Sequence, residues 1–154
     1  MKSKLVTLEE AKQMLPLLRS IVSDIRVSWG KIIEKRTELE CFEKEKGSRG
    51  EEESSPGAEE WKRRPDALKE ELNGLIERIN NYIREVEDLG CFVEEFKRGI
   101  INFPSLYHGR KVFLCWSFGE DDVGHWHELD ESFSDRVKIE HPEHFLQQQP
   151  KIHG

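Results

Sequence analysis

The strongest constraint on the fold is a spacing. Leu8, Ala11, Leu15, Leu18, Val22, Ile25, Trp29, Ile32, Arg36 and Leu39 recur at alternating steps of three and four. That is the seam of an amphipathic helix, with Arg36 as its one polar member, placed to pair with a carboxylate or to set register. The helix start is marked as well. Thr7 and Glu10 stand in the T-x-x-E relation of a capping box, in which each side chain satisfies the other residue's amide. Pro16 lies inside the run. It lacks an amide for the carbonyl of Lys12 and its ring crowds that carbonyl, so the sequence predicts a kink, or a short helix with a restart at Pro16.

A second seam matches the first. Leu68, Leu72, Leu75, Ile79, Tyr82, Val86 and Leu89 step by four and three, Pro65 suits a first helical turn, and Gly90 suits the position just past the end. The expected helices cover 7–46 and 65–89. Between them, 47–64 is rich in Glu, Gly, Ser and Lys and buries too little apolar area to offset its ordering entropy, so it reads as a mobile insert that Trp61 could anchor. One connector between two matching seams predicts a long antiparallel helical hairpin. Two helices alone bury too little, so a further layer is required from the C-terminal region or from a second chain.

After Gly90 the period shortens. Cys91–Phe96 and Ile100–Phe103 read as a hairpin around Lys97–Gly99, with Gly99 at positive φ. Lys111–Phe118 is apolar on both faces, as a central strand is, and Val123–Leu129 returns after a turn at Gly119–Asp122. The fold class is therefore α+β: a helical hairpin followed by a small antiparallel sheet over 91–139, then an irregular tail, 140–154, that is expected to fray. With 154 residues the chain suits a single domain.

Composition narrows the function classes. Charged residues make up 36% of the chain and the formal net charge is −7, which disfavours nucleic acid as a partner. Three cysteines, Cys41, Cys91 and Cys115, have no CxxC spacing and read as reduced thiols. No signal-peptide core or membrane-length apolar run is present, so the expectation is a cytoplasmic protein without membrane contact.

Chemistry concentrates in Cys115–Asp135, which holds seven carboxylates, two His and two Trp but no Lys or Arg. The candidate cluster is Cys115, Trp116, Glu120, Trp126, His127 and Glu128. Three functional readings compete with a structural one. A divalent metal could be held by His127, Glu128 and Glu120, or by Cys115 with His125 and His127, since zinc accepts S, N and O ligands. His127 with a carboxylate could act as acid or base. An acidic loop, Glu120–Asp122, could hold a hard cation, though without EF-hand spacing. In the structural reading Cys115 and the tryptophans are core residues and His127 is hydrogen-bonded at the sheet rim. An even turn at Gly119–Asp122 would place Cys115 opposite Trp126, on the face away from both His. No P-loop, GxGxxG, GxSxG or HExxH motif is present.

Three stretches carry a resemblance: "TLEEAKQMLPLLR" (Thr7–Arg19), "DLGCFVEEFKRGIINFPS" (Asp88–Ser105) and "GRKVFLCWSFGEDDVGHWHELDESFSDR" (Gly109–Arg136). They resemble a bacterial family catalogued as domain of unknown function 2203. The resemblance implies a small cytosolic protein without an assigned activity. Cys115, Trp116, Glu120, His127 and Glu128 match its pattern. His125 stands where relatives carry Tyr, and Ser132 and Asp135 stand at two glycine positions. Together these readings favour a non-enzymatic interaction or binding module that forms a homodimer or clasps a protein partner, with a metal-binding protein or hydrolase around His127 and Glu128 as the alternative.

Overall fold

The computed structural model describes residues 4–49 and 58–147. Two helices, α1 (Leu8–Arg49) and α2 (Ala58–Asp88), precede five strands: β1 (Phe92–Glu95), β2 (Ile100–Tyr107), β3 (Arg110–Ser117), β4 (His125–Glu128) and β5 (Val137–Lys138). The strands form one antiparallel sheet in sequence order, with β3 in the middle. The α+β class and the helical hairpin are thus present.

The helix signals act as expected at both outer ends. The Thr7 amide donates to Glu10 Oε1 and the Glu10 amide to Thr7 Oγ1, each at 3.0 Å. At the end of α2, Gly90 adopts φ 101°. Its amide donates to the Glu87 carbonyl at 2.9 Å and the Cys91 amide to the Val86 carbonyl at 3.5 Å, the paired bonds of a Schellman turn.

Of the two outcomes expected at Pro16, the restart is excluded. Helix α1 continues through Pro16 and neither ends nor restarts there. Pro16 and Lys12 are exposed, so water can serve the carbonyl left without a donor, while Leu15 and Leu18 beside it are buried. Apolar packing therefore outweighs one missing hydrogen bond. Pro65 also lies inside its helix, because α2 begins at Ala58. The expected insert is shortened accordingly: 47–49 and 58–64 are helical, and 50–57, with the Trp61 side chain, lie outside the described residues.

Contacts group the chain into two compact units, Met1–Arg26 with Tyr82–Gly154, and Val27–Asn81. In the first, the sheet face bearing Ile101, Phe103, Val112, Leu114 and Trp116 packs with Leu15, Leu18, Val22, Ile25 and Val86 in one core. Gly99, at φ 72°, lets the β1–β2 turn approach α1: a Cβ there would sit 2.5 Å from Val22 Cγ1. Pro104 is tolerated in β2 because β1 pairs only as far as Asn102. On that vacant side the Pro104 carbonyl accepts the Val6 amide at 2.7 Å, so an amide at 104 would have had no ladder partner there.

In the second unit, α1 and α2 run antiparallel. Lys35 pairs with Glu71 at 3.0 Å and Arg64 pairs with Glu38. Ile32, Leu68 and Ile79 are its buried apolar residues among those described.

Two local expectations are corrected. The β3–β4 connection turns at Ser117–Glu120, where the Glu120 amide donates to the Ser117 carbonyl at 3.0 Å and Gly119 takes φ 104°. Cys115 consequently faces His125, Leu114 faces Trp126 and Phe113 faces His127, one residue away from the even-turn register. The segment following Ile139 does not fray as far as Gln147. Phe145 is buried and bridges Tyr107, and the Leu146 amide donates to the Leu106 carbonyl at 2.8 Å. Residues 148–154 lie outside the described residues.

Candidate functional site

The shifted register gathers polar side chains on the sheet face opposite the helices. Asn102, Cys115 and His125 stand in one row across β2, β3 and β4, with Phe113 and His127 in the next. A bulge in β1 between Val93 and Glu95 leaves Glu94 unpaired in the ladder and turns it toward this face.

His127 sits at the centre with a fully buried side chain. Its Nδ1 lies 2.8 Å from the Glu128 carbonyl and its Nε2 3.2 Å from Asn102 Oδ1. The amide orientation of Asn102 is set by Nδ2 donating to Glu94 Oε1 at 2.8 Å. Both ring nitrogens therefore face oxygens that only accept. The Glu94 carboxylate lies 3.5 Å from Nε2. Glu94 Oε2 accepts the Phe133 amide at 3.0 Å, so this network also anchors the loop after β4.

Glu120 organises a second network. Arg136 donates to its two oxygens at 2.8 and 2.7 Å, and the Ser117 amide donates at 2.8 Å. Partial burial opposes its ionisation, but the Arg136 guanidinium and the Ser117 amide outweigh that and hold its carboxyl below the usual range. His125 Nδ1 lies 3.7 Å from Glu120, beyond hydrogen-bond distance. Burial first, and Arg136 second, lower its affinity for protons. Burial pushes the Cys115 thiol up to about 12, which makes it a poor nucleophile at neutral pH.

The remaining sequence-predicted residues point elsewhere. Trp116 is buried in the helix-facing core and its Nε1 donates to the Glu120 carbonyl at 3.0 Å. Trp126 stacks on Tyr107 with centroids 4.6 Å apart. Glu128 pairs with Arg110 on the neighbouring strand. His127, Glu128 and Glu120 are thus each engaged with a different partner, and they are not brought together as a donor set. Nor does the acidic stretch lack counter-charges: Lys12 lies 3.4 Å from Asp122 and Arg19 donates to the Asp121 carbonyl at 2.6 Å, while Arg110 and Arg136 serve Glu128 and Glu120. Basic residues distant in sequence supply what the stretch lacks, which removes the argument for a cation drawn from its local charge.

Sequence reasoning missed Glu94, Asn102 and Arg136. Nothing in "FVEEF" tells which glutamate a bulge will re-aim, and only the true register places Asn102 beside His127. It also missed His141, Glu143 and His144. Among the described residues these form the group whose donor atoms all lie within 4.8 Å of one another. The H-x-E-H string was the available signal. Neither residue at a glycine position takes a positive φ: Ser132 has φ −129°, and its amide donates to Asp135 Oδ2 at 3.1 Å.

No helix among the described residues is long and apolar enough to cross a membrane. Comparison with curated proteins and with solved structures finds no match. A family model described as "Uncharacterized conserved protein (DUF2203)" matches residues 4–139, nearly the whole described chain, and the protein belongs to that family.

Proposed function

We propose that the protein is a non-enzymatic interaction module that self-associates as a homodimer through one flank of its helical pair. The observation that carries this reading is an exposed flank in the Val27–Asn81 unit whose middle is uncharged, with Lys69 and Glu40 toward one end. Gly30, Ile33 and Thr37 on α1, and Asn73, Ile76 and Asn80 on α2, are all exposed. Ile33 and Ile76 each follow a seam residue by one position, and in an antiparallel pair such positions lie on the same side. The opposite flank is sealed by the Lys35–Glu71 and Arg64–Glu38 ion pairs.

A second copy suits this surface. Each chain carries a formal charge of −7, so association of copies requires a face without charge, and asparagine amides can donate and accept across a two-fold axis. Among its described residues the unit buries the apolar side chains of Ile32, Leu68 and Ile79, so a further layer adds burial. Engagement of His127, Cys115, Glu120 and Glu128 in internal contacts supports a scaffold role for the sheet and gives less support to a metal or hydrolytic centre there.

Light scattering at micromolar concentration tests the reading. The expected mass is twice 18.1 kDa, and the double variant Ile33→Lys with Ile76→Lys should halve it. A parent protein that runs as a clean monomer overturns the proposal.

A further inference from the structure

The segment after β5 carries chemistry that the sheet network does not use. It begins with a short 3-10 turn, Pro142–His144, with His141 as its N-cap. Three residues per turn bring the side chains of His141 and His144 to the same side. Their rings lie 4.8 Å apart at 27°. Glu143 lies between them: its Oε1 is 3.2 Å from His141 Nδ1 and 4.0 Å from His144 Nε2. A third imidazole, His108, packs against His144 with centroids 4.4 Å apart, and its amide donates to the His144 carbonyl at 2.9 Å. His108 holds φ 49°, the one positive value outside glycine among the described residues.

We propose that His141, Glu143 and His144 form a binding site for a divalent first-row transition metal, zinc being the reference ion. Two imidazoles and a carboxylate are a donor set suited to such ions and poorly suited to calcium or magnesium, which take oxygen ligands. Bonds of about 2.0–2.2 Å place tetrahedral zinc ligands roughly 3.4 Å apart. The separations of 3.2 and 4.0 Å bracket that value, and all three donors lie within 4.8 Å.

The site has support on one side and room on the other. His144 is held by ring contacts to His108 and Tyr107, while its buried Nδ1 has no hydrogen-bond partner. Imidazole and carboxylate bind metal in their unprotonated forms, so acid opposes metal binding at any such donor set. His141 also lines a groove of about 280 Å³ with Tyr107, Trp126, Val137 and Phe145. A fourth coordination position is left for water or for a donor on a molecule in that groove. The site lies outside residues 4–139, the span that the family model matches. Bound metal would fix the 3-10 turn, whose His144 already packs on His108 and Tyr107 at the end of β2.

The test is a zinc titration by calorimetry on the untagged full chain carrying Cys41→Ser, because Cys41 is exposed and would bind zinc itself. About one equivalent should bind, with a rise in melting temperature. His141→Ala and Glu143→Gln alter exposed side chains and should leave the fold intact, yet each should weaken zinc at least tenfold and abolish the thermal shift. Absence of binding in the parent overturns the proposal, as does equal affinity in parent and both variants. Light scattering of the same samples reports self-association separately, so the two proposals stand or fall apart.

Discussion

Replacing Glu120 by Gln tests whether the acidic turn is held by Arg136. The carboxylate accepts three hydrogen bonds, two from Arg136 and one from the Ser117 amide. Glutamine offers a single oxygen and no charge, so at least one Arg136 bond is lost and the other is weakened. A charge-assisted bond contributes about 1.5–3 kcal/mol, and breaking a fully buried ion pair costs about 3–5 kcal/mol. The pair is only partly buried, with side-chain exposures of 14% for Arg136 and 26% for Glu120, so solvent recovers part of that. The expected loss is about 2 kcal/mol at neutral pH, or roughly 4–8 °C in melting temperature for a chain of this length. The acid dependence has a definite sign. The folded-state pKa of Glu120 lies below its ordinary value of 4.5, so its contribution is present above 4.5 and disappears as pH falls through the folded value. Urea unfolding of parent and variant across that range should give curves that are parallel near neutrality and converge in acid. A difference under about 0.5 kcal/mol at neutral pH, or one that persists undiminished in strong acid, would falsify the assignment.

Three further outcomes follow from the same contacts. His127→Phe keeps a ring of similar size but leaves the Asn102 and Glu128 oxygens without donors, and denaturant titration should show a loss of about 2–4 kcal/mol; a neutral result would mean the network contributes nothing. Gly99→Ala combines a left-handed backbone with a contact of 2.5 Å to Val22, so a melting curve should reveal a loss above about 2 kcal/mol. In the native protein a thiol reagent should modify Cys41 rapidly and leave Cys91 and Cys115 until unfolding, since burial pushes both of the latter up to about 12; fast labelling of a second thiol would contradict the packing.

The helical seams, the Thr7–Glu10 cap and the glycines at 90 and 99 were legible because each is a local device, written in residues close in sequence. Pro65 misled, because a residue suited to a first turn also fits inside a helix that begins at Ala58, and the continuity of α1 through Pro16 depends on packing by residues such as Leu15 and Leu18. The β3–β4 register was lost on one residue: "SFGEDD" offers a turn at Gly119–Asp122 or one ending at Glu120, and the bonds from the Ser117 amide and Trp116 to Glu120 select the second. That choice put Cys115 beside His125 and brought Asn102 to His127. Arg136, Arg19 and Lys12 could not be assigned to the acidic stretch from its own composition. The tail was read as irregular for lack of periodicity, yet Phe145 docks it against Tyr107 and Trp126, with backbone bonds on either side of it.

The order of strands has a consequence for how the chain folds during synthesis. Each strand pairs with its predecessor, so the sheet assembles from contacts between near neighbours, which form quickly. Leu15, Leu18 and Val22 are translated first, but their partners Leu114 and Trp116 emerge about a hundred residues later. Through that interval the apolar stripe of α1 has no sheet to cover it. Nascent chains halted before β3 should therefore be held by chaperones that recognise bare helices, and release should coincide with the appearance of the central strand.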